Sequence, residues 1–210
     1  MIAIRDAYLE AAASAAALLG DPAVAAAWGQ PSALKEFSVA GLAGHLGSQV
    51  GYVSRLLAAE SPDAEPLSVV EFYARAEAFH VDVDAEINVR IREGGEAAAA
   101  NGAEALASEV ASAVDQQRAA LSTEPADRVV SFTARPLLLN DFLLTRMMEI
   151  VVHSDDLALS VDIATPQLPS QVFEPVLDLL SRLAVHRHGQ TAVLRALSRA
   201  ERAPATIAGI

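Results

Sequence analysis

The chain contains no cysteine. A protein thiolate is therefore excluded both as a metal ligand and as a nucleophile, and any thiol chemistry requires an external thiol. The fold also needs no disulfide, so the redox compartment is not legible from cysteine usage. Aromatic residues make up only 5% of the chain against 52% hydrophobic residues, so the core must be built mainly from Ala, Leu and Val. Ala and Leu are strong helix formers, which favours an all-α fold. Positive charge is scarce: 15 Lys and Arg stand against 27 Asp and Glu, a net charge of −12. Such a chain repels phosphate backbones and anionic membrane surfaces, and it has no basic run, so neither nucleic acid nor membrane is an expected partner. No uncharged apolar run reaches the ~18 residues of a transmembrane helix. Ala11 to Gly20 is apolar, but Asp6 and Glu10 precede it where a signal peptide would carry basic residues. The expectation is a soluble cytoplasmic protein. Its length fits a single domain over residues 1–210.

What is present is helical periodicity. Ile4, Ala7, Tyr8, Ala11, Ala15, Leu18 and Leu19 form one stripe, and Gly20-Asp21-Pro22 stops that helix. Residues 24–35 read as a connector holding Trp28, the only tryptophan. Ser38 is a suitable N-cap for a helix over 39–59, with Leu42, Leu46, Val50, Val53 and Leu57 inward. Gly41, Gly44, Gly47 and Gly51 recur along the same helix, where glycine is costly, and imply close approach of a helix or ligand. Ser68 opens a helix through Phe72, Tyr73, Ala76 and Phe79. Val83, Ile87 and Ile91 allow a further helix, which Gly94-Gly95 is expected to break. A helix follows over 104–121, then an extended connector over 128–134. Pro136 is expected to lead into a long helix ending near Ser160. Ser170 caps a helix to about His186, and Thr191 to Ser198 form a last short one. The compact solution is an antiparallel up-down four-helix bundle with additional short helices. Its spare apolar faces are compatible with a homodimer.

The long helix carries Glu149 and His153, four apart and so on one face. Met147, Met148, Ile150, Val151 and Val152 surround them, and a helix that is apolar nearly all round is buried. Buried polar groups need partners. Arg146 lies three before Glu149 and Asp156 three after His153. Two readings fit: a buried ion-pair ladder, or two metal ligands oriented by Arg146 and Asp156. A third ligand would separate them. His80, His186 and His188 read as solvated, whereas His45 sits mid-helix among Leu42, Leu46 and glycines. Two His and one Glu from facing helices match a catalytic zinc set with an open position. Trp28 and Tyr52 read as core packing or as pocket lining, and Asp155 as solvent-facing.

The run from Phe37 through His45 to Leu46, the run from Arg146 through Glu149 and His153 to Ala158, the Trp28 connector and the tail from Leu194 to Pro204 together resemble the mycothiol-dependent maleylpyruvate isomerase N-terminal domain family, within the wider DinB-like metal-binding bundles. The resemblance implies that His45, Glu149 and His153 ligate a divalent metal, usually zinc. It does not extend to the smaller C-terminal domain into which the isomerase continues. It further implies mycothiol as thiol cosubstrate and a small electrophilic molecule as substrate, in a transferase or isomerase reaction. A hydrolase using zinc-bound water and a non-catalytic metal- or ligand-binding bundle are the alternatives that the residues leave open.

Overall fold

The structure is a computed structural model that describes residues 2–76, 82 and 84–210. The described chain is mostly helical. In order it forms α1 (Ile2–Leu19), α2 (Pro22–Ala26), α3 (Val39–Ala58), α4 (Val69–Ala74), α5 (Glu86–Ala98) and α6 (Ala103–Thr123). A two-stranded sheet follows, β1 (Val129–Phe132) and β2 (Arg135–Leu138), then α7 (Leu139–Ser160), α8 (Ser170–His188) and α9 (Gln190–Ser198). No helix among the described residues is long and apolar enough to cross a membrane.

Two helices organise the interior. One is α1, which lies against α6, α7 and α8; the other is α3, which lies against α5, α6 and α7. The expected stripe of α1 is buried from Ala7 to Leu19, and Leu42, Leu46, Val50 and Val53 of α3 are wholly buried. A satisfied polar chain joins three of these helices through the core. Tyr8 of α1 donates to Gln117 Oε1 of α6 at 2.8 Å, and Gln117 Nε2 donates at 2.8 Å to the Val50 carbonyl and to Ser54 Oγ of α3. Such groups are tolerated inside only when their hydrogen bonds are complete.

Several boundaries differ from the expectation. The connector after α1 contains α2, started by Asp21, whose side chain accepts from the Ala23 N–H, and by Pro22 in the first turn. Ser68 caps α4 in a capping box with Glu71, but α4 ends at Ala74. Phe79, His80 and Val83 lie outside the described residues. Ser170 is the first residue of α8, and Pro169 occupies the cap position.

Gly94-Gly95 does not break α5, which runs through both. A Cβ on Gly95 would strike the Gly41 carbonyl oxygen, and one on Gly44 would strike the Gly95 carbonyl oxygen. Gly41 and Gly44 of α3 and Gly95 of α5 therefore serve one close backbone crossing, whose packing outweighs their poor helix propensity, while Gly47 makes room for Leu106 and Val110 of α6. Ser38 ties the same pair of helices together: its Oγ accepts from the Gly41 N–H and bonds Glu96 of α5 at 2.5 Å.

The extended connector proves to be half of a hairpin, with Val129 opposite Leu138 and Phe132 opposite Arg135. Pro136 belongs to β2, and α7 begins at Leu139. The two-residue loop puts Thr133 at φ 51° and Ala134 at φ 60°. Loops of this kind ordinarily use Asn-Gly, because both residues need positive φ. Thr-Ala carries no such signal, so the hairpin was not legible.

The crossing makes a paired prediction. Gly44→Ala should lower stability by about 1–3 kcal/mol in urea unfolding, because the methyl meets backbone rather than a yielding side chain. Gly51, in the same helix, has open space where a Cβ would project. Gly51→Ala should be neutral or stabilising by up to about 1 kcal/mol. Equal effects at both positions would contradict the close-approach explanation.

Candidate metal centre

α3 and α7 pack together, and each brings its polar residues to the same point of the contact. His45 projects from the middle of α3; Glu149 and His153 project one turn apart from α7. One ligand atom from each of the three lies within 4.8 Å of the others. The imidazoles of His45 and His153 meet edge to face, with centroids 4.7 Å apart and planes at 79°. Glu149 is buried, and the two imidazoles are half-buried.

Each of the three has polar neighbours. His153 Nε2 faces Glu149 Oε2 at 3.3 Å, while its Nδ1 lies 3.0 Å from Asp156 Oδ2. The Tyr73 hydroxyl of α4 donates to Glu149 Oε1 at 3.3 Å. Gln49, one turn after His45, accepts at Oε1 from Arg146 Nη1 at 2.6 Å. Its Nε2 donates to the His45 carbonyl at 3.0 Å and lies 3.2 Å from His45 Nε2. Because Arg146 occupies Oε1, the amide NH₂ faces the ring, which assigns His45 Nε2 as an acceptor.

The charges follow from these contacts. Burial lowers the His45 pKa to about 4, and the nearby His153 adds to the effect, so this imidazole is neutral at pH 7. Burial alone would lower His153 too. Its hydrogen bonds to Asp156 and Glu149 outweigh that and raise it to about 9. Glu149 is opposed by burial, but the His153 hydrogen bond and the Arg146 charge bring it down to about 2. Burial and the Glu149 charge hold the Tyr73 phenol well above its usual range, so it is a permanent donor.

Arg146 is buried. It donates to Gln49 and, at 3.1 Å, to Thr145 Oγ1, and its guanidinium lies over the Phe132 and Phe142 rings at 4.8 and 5.2 Å. It acts on Glu149 by charge. Asp155 is exposed and accepts from the Thr165 hydroxyl. His186 is exposed, His188 reaches the Ala208 carbonyl, and neither belongs to the three-residue cluster. Trp28 packs against the core, whereas Tyr52 lines the cavity described next.

The three residues open into a cavity of about 450 Å³ whose wall is largely aromatic and aliphatic. Volumes of this order hold small-molecule ligands. Tyr73, Gln49 and Phe132 belong to this site and were not singled out from the sequence. Gln49 carried a signal, since it shares a helix face with His45 at a spacing of four. Tyr73 carried none, because a short helix far away in sequence delivers it.

The donor set suits a divalent ion of borderline softness. It offers one neutral imidazole, one carboxylate and a second imidazole whose other nitrogen is held by an acid, the pattern that fixes ring orientation in metal sites. The model of the mycothiol maleylpyruvate isomerase N-terminal domain family matches residues 8–158, well over half of the chain and including all three candidate ligands. The chain belongs to this family. No curated protein and no solved structure matches it. Within the mycothiol maleylpyruvate isomerase N-terminal domain, the matched segment runs from α1 to the last turn of α7 and so holds both helices that carry the candidate ligands.

A protonated His153 must lose its proton before Nε2 can bind a metal. With its pKa near 9, zinc uptake at pH 7 should release about one proton per site. Calorimetry in two buffers of different ionisation enthalpy measures this. Zinc binding with no proton release would show that His153 is already neutral.

Proposed function

We propose that this protein binds a divalent metal, most simply zinc, through His45, Glu149 and His153, and uses it with an external thiol, mycothiol, in a transferase or isomerase reaction on a small electrophile. The observation that carries this reading is the convergence of those three side chains on the wall of an apolar cavity in a chain without cysteine. The family match supports it independently. We further read the chain as one domain in which α1, α3, α6 and α7 form an antiparallel up-down bundle of DinB type.

When bound, the metal supplies Lewis acidity, which lowers the pKa of a thiol or water presented to it. The chain's own residues do the rest. Asp156 holds the Nδ1 proton of His153, which points Nε2 at the ion. Tyr73 engages one oxygen of Glu149 and leaves the other toward His153. Arg146 holds Gln49, whose amide donates to the His45 carbonyl, and His45 would give its Nε2 lone pair to the metal in place of its contact with that amide. Phe37, Phe72 and Phe132 line the cavity, and an apolar wall strengthens every charge interaction inside it.

Metal analysis of protein purified without added metal tests the ligands. The wild type should hold about one zinc per chain and His45→Ala almost none. Full occupancy in the variant would refute the ligand assignment. On the loaded protein, a panel of electrophiles should turn over only when mycothiol is present. Turnover without thiol would instead support hydrolysis by activated water.

A further inference from the structure

The cavity beside the metal centre holds one charged residue that the cluster does not use. Resting on the reading of that cavity as the substrate site of a metal- and thiol-dependent centre, we propose that Arg135 selects the electrophile. It takes a carboxylate of the substrate at the cavity mouth, while the substrate's apolar body lies along the wall toward His45, Glu149 and His153.

Arg135 opens β2 directly after the tight turn, is half-buried and lines the cavity. Its Nη1 donates to Thr133 Oγ1 at 3.0 Å and its Nη2 to the Arg75 carbonyl, and the guanidinium leans over the Phe72 ring at 5.9 Å. All of these partners are neutral. Among the described residues no carboxylate comes within ion-pair distance of it. A guanidinium has five N–H donors, so several remain for a ligand. Its place is also set in advance. The turn that holds Thr133 and Ala134 at positive φ supplies the Thr133 hydroxyl, and the end of α4 supplies the Arg75 carbonyl. A side chain held in this way loses less freedom when an anion docks.

Arg146, the other guanidinium of the lining, is differently occupied. It is buried, donates to Gln49 and Thr145, and its charge acts on Glu149. Glu149 is the one carboxylate of the lining among the described residues. Arg146 answers it, and Arg135 is left over. In a chain of net charge −12, this excess of positive charge is local to the cavity, and a bound metal ion adds to it. A carboxylate matches the planar fork of an arginine with two parallel hydrogen bonds. The rest of the wall sets the body of the guest: Leu34, Phe37, Phe72, Ile87, Ile91 and Phe132 favour apolar groups leaving water. α4 supplies the reach. Arg135 leans over Phe72, and the next residue, Tyr73, donates to Glu149 Oε1 at 3.3 Å. One small molecule can therefore meet Arg135 with its charged end and the metal centre with its reactive carbon.

The test is direct binding, read separately from turnover. Titration calorimetry at pH 7 compares trans-cinnamate, a carboxylate on an apolar unsaturated body, with cinnamamide, its uncharged isostere, on protein whose zinc content has been measured. The wild type should bind cinnamate at least ~10-fold more tightly than the amide, the scale of one hydrogen-bonded charge pair. Arg135→Gln should weaken cinnamate by ~10-fold or more and cinnamamide by less than ~3-fold. Arg135→Lys, which keeps the charge and loses the planar fork, should restore part of the preference. Thermal midpoints measured beside the titrations identify a variant that fails to fold. Should the Gln variant fail, the Lys variant stands as the test, and its preference for cinnamate must fall several-fold below the wild type's. Cinnamamide bound as tightly as cinnamate by the wild type, or a preference unchanged in the folded variants, would overturn the proposal. Titrations with and without zinc keep the two readings apart. Protein that takes up no zinc, yet loses its preference with Arg135, refutes the metal reading alone. Protein that holds zinc through His45, Glu149 and His153, yet is indifferent to Arg135, refutes the selecting role alone.

Discussion

Glu149 is a carboxylate held inside a helical core, and that one burial constrains everything around it. An ionised group in such a place is costly unless each lone pair and the net charge are answered. Here one oxygen accepts from Tyr73, the other faces His153, and Arg146 supplies the positive field. His153 in turn needs Asp156, and Arg146 needs Gln49, Thr145 and two ring faces. Gln49 then fixes how His45 presents its ring. Removing any one member leaves another unpaired in a medium that cannot replace it.

The fold serves this cluster by controlling how closely α3 can be approached. On the side of α5, glycine meets glycine and the backbones touch. That contact brings Ile87 and Ile91 to the cavity wall, next to the helix that carries His45. On the side of α7 the surrounding residues are large, with Phe142, Leu143, Met147 and Met148 fully buried. The hairpin and α4 sit at the end of the cluster and deliver Phe132 and Tyr73. They are tied by the Leu67 N–H, which donates to the Pro136 carbonyl at 2.9 Å, and by Arg135, which donates to the Arg75 carbonyl.

How much of this could be read from the chain depended on how local each signal was. The helices that carry His45, Glu149 and His153 announce themselves by period and by caps, and the Glu149–His153 spacing is a local fact. His45 was separable from the other histidines because only it stands inside an apolar, glycine-rich helix. The crossing partner of those glycines was not readable, since Gly94-Gly95 looks like a break until Gly41 and Gly44 are seen against it. The hairpin was hidden for a different reason: Thr133-Ala134 adopts a conformation its residues do not advertise. Tyr73 and the Arg146–Gln49 bond are long-range contacts, and no window of sequence contains them. Arg146 was expected to orient Glu149; it bonds Gln49, Thr145 and the Tyr73 hydroxyl that donates to Glu149, and its charge acts on the carboxylate.

A family relationship and a specific arrangement of charge in an apolar cavity thus meet in one claim, a single cation shared by His45, Glu149 and His153. Anomalous diffraction from crystals grown with zinc addresses that claim most directly. The expected map has one zinc peak about 2.0–2.2 Å from a nitrogen of His45, a nitrogen of His153 and an oxygen of Glu149, with Asp156 still on the far side of the His153 ring. A peak held by other residues, or zinc bound with His45 turned away from the pair on α7, would contradict it.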